Sequence, residues 1–210
     1  MMRRALSIAV TAVTGLAAGC GGGGTGSGPG SGSGSGSQMP PTGLQLVYTD
    51  PSSGALRLVR DPAGLGGNAV TLRLVVGDQP LTGYATGFDL PLDTTKVVLG
   101  AFTPGAALAP GEPPLAARAV IPKQGPLAGM LVTALSQKAS GPGAVATDAV
   151  LGPGSVLYSI ELDLAPAASD GVVFDGTATG FALPSGGLRN RTSTVVVSAG
   201  QVGIGKLEVR

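Results

Sequence analysis

The chain of 210 residues contains no histidine, no tryptophan and one cysteine. Without histidine it lacks the commonest general base and a frequent metal ligand. Cys20 has no second cysteine with which to form a structural disulfide. Charged residues make up only 12% of the chain and aromatic residues 3%. These shortages exclude most of the common catalytic arrangements that depend on histidine or on a pair of thiols.

Charge balance disfavours a further class of function. The chain has 13 basic and 12 acidic residues. Removing Arg3 and Arg4 with an N-terminal signal would leave the two signs almost equal. Because no basic patch with interleaved aromatic residues is present, we expect no nucleic-acid partner.

The N-terminus has the pattern of a secretory signal. Two arginines precede an uncharged, mostly apolar run from Ala5 to Ala18, which is too short for a membrane-spanning helix of about 20 residues. The segment Leu16-Ala17-Ala18-Gly19-Cys20 resembles a bacterial lipobox, although Ala17 stands where that family usually has leucine. The resemblance implies a lipoprotein signal peptide at residues 1–19, and lipidation of Cys20 by a diacylglycerol and a further acyl chain. An ordinary signal peptide cut after Ala18 or Gly19, leaving a free thiol, is the alternative.

Residues 20–37 are predicted to be the lipidated cysteine followed by a flexible linker. From Gly21 to Ser37 the sequence is almost entirely glycine and serine. Such a segment cannot bury enough apolar area to offset the entropy of ordering it. As a random coil it would span roughly 20–25 Å, which is enough to hold a folded domain clear of a bilayer surface.

Alternation of apolar and polar residues dominates the rest of the chain, residues 38–210. The clearest cases are Ser155–Leu164, Ala69–Val76 and Leu81–Leu90, where every second residue is apolar over much of the segment. This alternation predicts that Tyr158 and Ile160 point inward and that Tyr84 and Phe88 also lie in the core. Further strands are predicted at Leu44–Tyr48, Ala55–Val59, Val97–Phe102, Met130–Leu135, Gly171–Phe174, Thr194–Val197 and Gln201–Val209. Glycine and proline interrupt any helical period. The pattern predicts an all-β sandwich of about nine or ten strands.

Three stretches resemble parts of a cohesin module. Ala69–Leu108 has the family's order of a strand, an aspartate turn, a valine pair, a short strand and a loop containing glycine and proline. The matching positions are Phe88, Asp93, Val97, Val98 and Gly105. The segment "GSVLYSIELDLAP" resembles a later strand of the family, and "SAGQVGIGKLEV" resembles the last. The resemblance implies a jelly-roll sandwich related to cohesins and carbohydrate-binding modules, and it assigns no partner-binding residue.

Candidate catalytic residues are few and poorly arranged. Ser136 and Lys138 lie two residues apart at the edge of a polar loop, and the spacing Ser-x-x-Lys does not occur. Glu112, Glu161 and Glu208 could supply a glycosidase carboxylate pair only if the fold brought two of them together. We therefore expect no catalytic residue, no cofactor and no enzymatic activity.

Two ligand-binding patterns have simpler explanations. Residues 200–206, "GQVGIGK", match the glycine and lysine positions of a phosphate loop, but Leu207 replaces the serine or threonine that binds magnesium. Five aspartates could contribute to a calcium site: Asp89, Asp93, Asp163, Asp170 and Asp175. No loop carries the alternating aspartates of an EF-hand, so we expect turn formation and no metal site.

These observations together predict a lipid-anchored protein of the bacterial cell envelope, at the outer membrane or periplasmic face. Its β-sandwich is expected to be a non-catalytic protein-binding or structural module, whose partner is another envelope protein or a polysaccharide. The alternative is a surface carbohydrate-binding module, and the number of exposed aromatic side chains on one sheet distinguishes the two.

Overall fold

The computed structural model describes residues 43–64, 66–108, 115–139 and 141–210. These residues form fifteen strands and two short 3-10 helices, Ala106–Leu108 and Ala199–Gln201, and they include no α-helix. The strands in chain order are β1 (Leu46–Thr49), β2 (Leu56–Arg60), β3 (Ala69–Val76), β4 (Leu81–Gly83), β5 (Ala85–Pro91), β6 (Val97–Pro104), β7 (Leu115–Val120), β8 (Met130–Gln137), β9 (Ala149–Leu151), β10 (Val156–Leu164), β11 (Gly171–Asp175), β12 (Ser185–Arg189), β13 (Val195–Ser198), β14 (Val202–Gly203) and β15 (Lys206–Val209).

Two five-stranded sheets form the sandwich. The first sheet has the order β14-β2-β3-β10-β6, and the second has the order β13-β12-β5-β8-β7. Strands β1, β15 and β11 form a smaller sheet, and β4 pairs with β9. Every strand pair in the described residues is antiparallel except β14 with β2. The predicted all-β sandwich is confirmed.

The core lies between the two sheets, and strand alternation builds it. Phe88 and Leu90 of β5 face Tyr158 and Ile160 of β10, and all four side chains are buried. The rings of Phe88 and Tyr158 have centroids 6.1 Å apart, in a tilted arrangement that suits aromatic pairs. The sequence expectation that Tyr158 and Ile160 point inward is therefore confirmed.

One buried polar contact joins the two sheets. Thr133 Oγ1 of β8 lies 2.8 Å from the hydroxyl oxygen of Tyr158 on β10. The Phe88 amide also donates to Thr133 Oγ1 over 3.0 Å. Burial raises the pKa of Tyr158, so its phenol stays protonated and able to donate.

Strand boundaries differ from the sequence expectation in three ways. The predicted strands at Leu81–Leu90 and Gln201–Val209 are each divided in two, and Tyr84, expected in the core, is only half-buried between β4 and β5. Strands β7, β9 and β12 were not predicted, because they are short or rich in alanine and glycine. A register shift near the start of β10 also buries Leu157, which strict alternation would expose.

Candidate functional site

The sequence candidates for catalysis are not brought together. Glu161 lies on β10 of the first sheet, whereas Glu208 lies on β15 of the small sheet. Glu208 pairs with Lys206 over 3.1 Å and also contacts Arg210, and the hydrogen bond from Lys206 is the main cause of its lowered pKa. A general acid needs a raised pKa, so this carboxylate is unsuited to that role. Glu112 and Cys20 lie outside the described residues.

Ser136 and Lys138 form no catalytic pair in the described part of the chain. Ser136 is a half-buried outward residue of β8, and Lys138 is exposed just beyond the end of that strand. No hydrogen bond joins the two side chains among the described residues. A serine nucleophile requires such a bond to its base.

Two of the five aspartates considered as calcium ligands, Asp93 and Asp175, stabilise turns. Asp175 Oδ1 accepts hydrogen bonds from the amide and the hydroxyl of Thr177. Asp93 makes the same two bonds with Thr95, and in each case the threonine hydroxyl is the main cause of a lowered aspartate pKa. Across residues 43–210, gaps excepted, no three histidine, cysteine or acidic side chains cluster as metal ligands would.

The phosphate-loop-like segment is a tight strand connection. The 3-10 helix Ala199–Gln201 leads into β14, and β15 follows. A Cβ atom at Gly203 would lie 2.0 Å from the Ser53 carbonyl oxygen, and one at Gly205 would lie 1.9 Å from that of Thr49. The two glycines are therefore explained by close approach of neighbouring backbone.

The outer surface of the second sheet is the most distinctive surface of the sandwich. We call it the open face, and it consists of the outward residues of β7, β8, β5 and β12. They are Ala116, Arg118, Ala134, Ser136, Ala85, Gly87, Asp89, Ser185, Gly187 and Arg189. Most of these side chains are small, and the face encloses a shallow depression of about 440 Å³.

The depression follows from one cross-strand row of small residues. Ala134 of β8 is opposite Gly87 of β5, which in turn is opposite Gly187 of β12. A Cβ atom at Gly187 would lie 1.8 Å from the Val197 carbonyl oxygen, and its φ is +119°. At Gly87 a Cβ atom would lie 2.2 Å from the Thr133 carbonyl oxygen. Backbone packing thus requires both glycines. Along this row Ala134 is exposed and Gly87 half-buried, whereas Gly187 is buried.

Charged groups border this row. Arg118 is directly opposite Ala134 and is exposed, and no ion pair to it is found within the described residues. Arg189 is also exposed and donates through one guanidinium nitrogen to the Ser193 carbonyl oxygen over 2.9 Å. At the other end, Asp89 accepts a 2.7 Å hydrogen bond from the Ser185 hydroxyl. The face therefore offers two guanidinium groups beside an uncharged centre.

All seven aromatic side chains are buried or half-buried. Of the three tyrosines and four phenylalanines in the chain, Tyr48, Phe88, Tyr158 and Phe174 are buried, and Tyr84, Phe102 and Phe181 are half-buried. None is exposed. No sequence pattern marks the open face, because alanine, glycine and serine carry no distinctive periodicity or chemical signature.

No helix in the described ranges of the chain is long and apolar enough to cross a bilayer.

Comparisons with known proteins give one match. No protein-family model and no curated protein matches the chain. Among solved structures, the chain is similar to the solution structure of CaCohA2 from Clostridium acetobutylicum, with 12% sequence identity and a TM-score of 0.41. The match covers 74% of this chain and 92% of that chain. At this level of similarity the comparison carries no functional argument, so the fold assignment depends on the two sheets described above.

Proposed function

We propose that this chain is a lipid-anchored protein of the bacterial cell envelope, whose sandwich binds a protein partner through the open face. The observation that carries the binding role is the uncharged, side-chain-poor centre of that face, formed by Ala134, Gly87 and Gly187. A partner that covers this region removes few strongly hydrated groups from water, so the cost of desolvation is small.

The open face by itself is smaller than a standard protein interface, so a partner must also contact neighbouring surface. Five strands spaced by about 4.8 Å, with residues rising by about 3.3 Å each, give a platform roughly 20 Å on each side. A stable interface buries about 800 Å² per partner, which exceeds the projected area of such a platform. Exposed Val195 and Val196 on β13, at the edge of the same sheet, extend the apolar area available to a partner.

A protein is favoured over a polysaccharide as the partner. Sugar-binding faces present aromatic rings that stack on the sugar, and all seven aromatic side chains of this chain are at least half-buried. Arg118 and Arg189 beside the uncharged centre are suited instead to carboxylates of a protein partner.

The binding role can be tested by blocking the depression. Ala134→Arg places a long charged side chain on the open face, and Ser159→Arg makes the matched change on β10, which like β8 is the fourth strand of its sheet. In a pull-down from solubilised envelope, we expect a partner to be retained by the parent and by Ser159→Arg, and lost with Ala134→Arg. Equal retention by both variants would remove the open face from the proposal.

Membrane attachment requires a separate test, because it depends on the N-terminal pattern alone. The small residues before Cys20 and the glycine-rich segment after it support lipidation there, and two or more acyl chains hold a protein firmly in a bilayer. Cys20→Ala should abolish incorporation of labelled palmitate and release the chain from the membrane fraction. A membrane-bound parent without label would contradict the lipid anchor but not the binding role.

A further inference from the structure

Strand β7 is an edge strand of the second sheet, and its ladder with β8 is regular. Leu115–Val120 pair with β8 at six consecutive positions, without a register shift. Within the described residues, the backbone of this strand makes hydrogen bonds to β8 and to no other segment. An unpaired strand edge presents a row of N–H and C=O groups to which another strand can add.

The other edge strands of the two five-stranded sheets are protected against such addition. β13 and β6 each have a register shift where they pair with their neighbour, and β6 also ends at Pro104. β14 has only two residues. Bulges, prolines and short length are usual means by which proteins protect sheet edges. β7 has none of these three, and Arg118 is the one charged residue among its six.

The side of the sandwich at β7 is apolar and incompletely closed. Ala117 is opposite the buried Leu135, so it points toward the first sheet, and yet it is exposed. β6, the edge strand of the first sheet, contacts β7 on this side, and a cleft of about 670 Å³ lies next to β6. We call this side the apolar seam, and its residues are Leu99, Phe102, Leu115, Ala117 and Ile121.

A second copy of the same strand fits this edge in one register. Two-fold antiparallel pairing places residues of the same face opposite each other, so it is centred on one residue of the strand. A centre at Arg118 would put two like charges directly opposite, which is unfavourable. A centre at Ala117 puts Ala117 opposite itself and Arg118 opposite Ala116 of the second copy. Centres nearer the strand ends pair fewer residues.

Prolines in the sequence limit the pairing to this strand. Pro114 directly precedes β7, and Pro122 follows its last residue by two positions. Proline has no backbone N–H to donate to a ladder. A partner strand therefore cannot slide far along the chain without losing hydrogen bonds, and the register centred on Ala117 is favoured.

We propose that β7 pairs with β7 of a second copy of this chain, antiparallel and centred on Ala117, so that two five-stranded sheets become one sheet of ten strands. Every second residue of an edge strand directs its N–H and C=O away from the sheet, so the pair forms roughly four to six hydrogen bonds. The apolar seams of the two copies meet beside the pair, and their half-buried side chains lose further contact with water.

The contact is small, which sets its strength. The strand is about 20 Å long, and packed sheets lie about 10 Å apart. The area that each copy buries is therefore below the about 800 Å² of a standard interface, and we expect a weak, reversible dimer. Because residues of the same face are opposite each other, the open faces of the two copies lie on the same side and form one larger surface. That consequence rests on the proposed function, whereas the pairing of β7 does not.

Cysteine cross-linking of the purified full-length chain tests the register. In Ala117→Cys the two new thiols lie directly opposite each other, where Cβ atoms of cross-strand pairs are about 4.5–5.5 Å apart. In Ala116→Cys they lie diagonally at about 7–8 Å, beyond the usual reach of a disulfide. Ser159→Cys is the control on the first sheet, and the parent shows any link through Cys20, its only cysteine.

After mild oxidation, we expect most of Ala117→Cys to form a disulfide-linked dimer, and Ala116→Cys and Ser159→Cys to match the parent. The exposed position of Ala117 allows the small change to cysteine without loss of the fold. A dimer yield from Ala117→Cys no greater than that from Ala116→Cys would overturn the proposal. The cross-link requires no other protein, so its failure leaves the pull-down test of the open face unaffected.

Charge at position 116 gives a second, independent measurement. Ala116→Glu puts a carboxylate opposite Arg118 of the second copy, and Ala116→Arg puts a like charge there. Two such pairs form in each dimer, so each change should shift the dimerisation constant by roughly 2–30-fold, upward with Glu and downward with Arg. Sedimentation of chains that keep Ala117, from about 1 μM to 1 mM, measures this shift even if Ala117→Cys does not fold.

The matched controls are Ser159→Glu and Ser159→Arg, because Ser159 is half-buried and outward-facing on the first sheet, as Ala116 is on the second. We expect both controls to dimerise like the parent. Equal dimerisation of Ala116→Glu and Ala116→Arg, or the same charge effect at position 159, would overturn the proposal.

Discussion

The two five-stranded sheets share one core but present different outer faces. The first sheet carries charged and polar side chains on its outer surface: Arg57, Arg73, Ser159, Glu161 and Asp163. Two of these are in ion pairs, Arg57 with Asp78 at 3.2 Å and Arg73 with Asp61 at 2.6 Å. The second sheet has alanine, glycine and serine at the centre of its outer surface.

Hydration explains why this difference matters for binding. A partner on the first sheet would have to displace water from several charged groups, and an imperfectly paired charge costs more than the contact returns. A partner at the centre of the open face meets mainly methyl groups and backbone, and the charged side chains Arg118, Arg189 and Asp89 lie around it. The residue types of the two outer faces thus indicate which sheet is solvated and which is suited to contact.

The largest expected effect separates the inner from the outer side of the first sheet. Ile160 is fully buried and Glu161, its neighbour on β10, points outward. Ile160→Ala should lower the free energy of unfolding by about 2–5 kcal/mol, because apolar contacts are lost and a cavity remains. Glu161→Ala should change it by less than about 0.5 kcal/mol. Denaturant melts of the two variants measure both values, and a larger loss in Glu161→Ala would show that the register of β10 is misassigned.

The next effect tests the backbone of the second sheet. Gly187→Ala adds a Cβ atom at 1.8 Å from the Val197 carbonyl oxygen, at a backbone φ of +119°. We expect a loss of about 1–3 kcal/mol or more in the free energy of unfolding. Gly200→Ala is the matched control, because a Cβ atom there meets nothing within 4 Å. If both variants melt with the parent, strand β12 does not pack against β13 as described.

A third effect concerns the polar contact between the sheets. Thr133→Val removes the hydroxyl that lies 2.8 Å from the Tyr158 oxygen and leaves that buried phenol without this partner. The expected loss is about 1–3 kcal/mol. Tyr158→Phe in the same background should recover part of it, since the unpartnered hydroxyl is then absent. A double-mutant cycle measured by chemical unfolding would give the coupling, and additive losses would contradict a direct contact.

The smallest expected effect is a loss of folding stability at acidic pH. It involves two aspartates that are not part of the open face. The pKa values of Asp93 and Asp175 are lowered in the folded chain, chiefly by hydrogen bonds from Thr95 and Thr177. A carboxylate whose pKa is lowered by folding makes its full contribution to stability at any pH above its ordinary pKa of 3.8. That contribution is lost as the pH falls from 3.8 through the lowered pKa of the folded chain. Stability should therefore decline below about pH 4. Thr95→Val and Thr177→Val together should flatten this decline in melts across the acidic range, and an unchanged slope would contradict the assignment.

Sequence patterns located some parts of this architecture better than others. β3 and β10 alternate strictly over most of their length and are buried on one face, so their register could be predicted. β12 has the sequence Ser-Gly-Gly-Leu-Arg, and its two glycines, Gly186 and Gly187, have φ values of +148° and +119°. Glycine is unfavourable in strands by propensity, and only pairing with β5 and β13 makes this segment a strand. The open face depends on β12 and was missed for that reason.

The amino-acid sequence by itself determined the all-β class, the core positions of the alternating strands, and the absence of histidine and of a second cysteine, because periodicity and composition are local properties of a chain. Tertiary structure decided which sheet exposes small residues, which glycines face a neighbouring backbone, and which oxygens surround Lys96. Each of these depends on contacts between segments far apart in sequence, such as Lys96 with Ser169 and Asp89 with Ser185. Such contacts leave no periodic signal, because they are set by the packing of whole strands and loops.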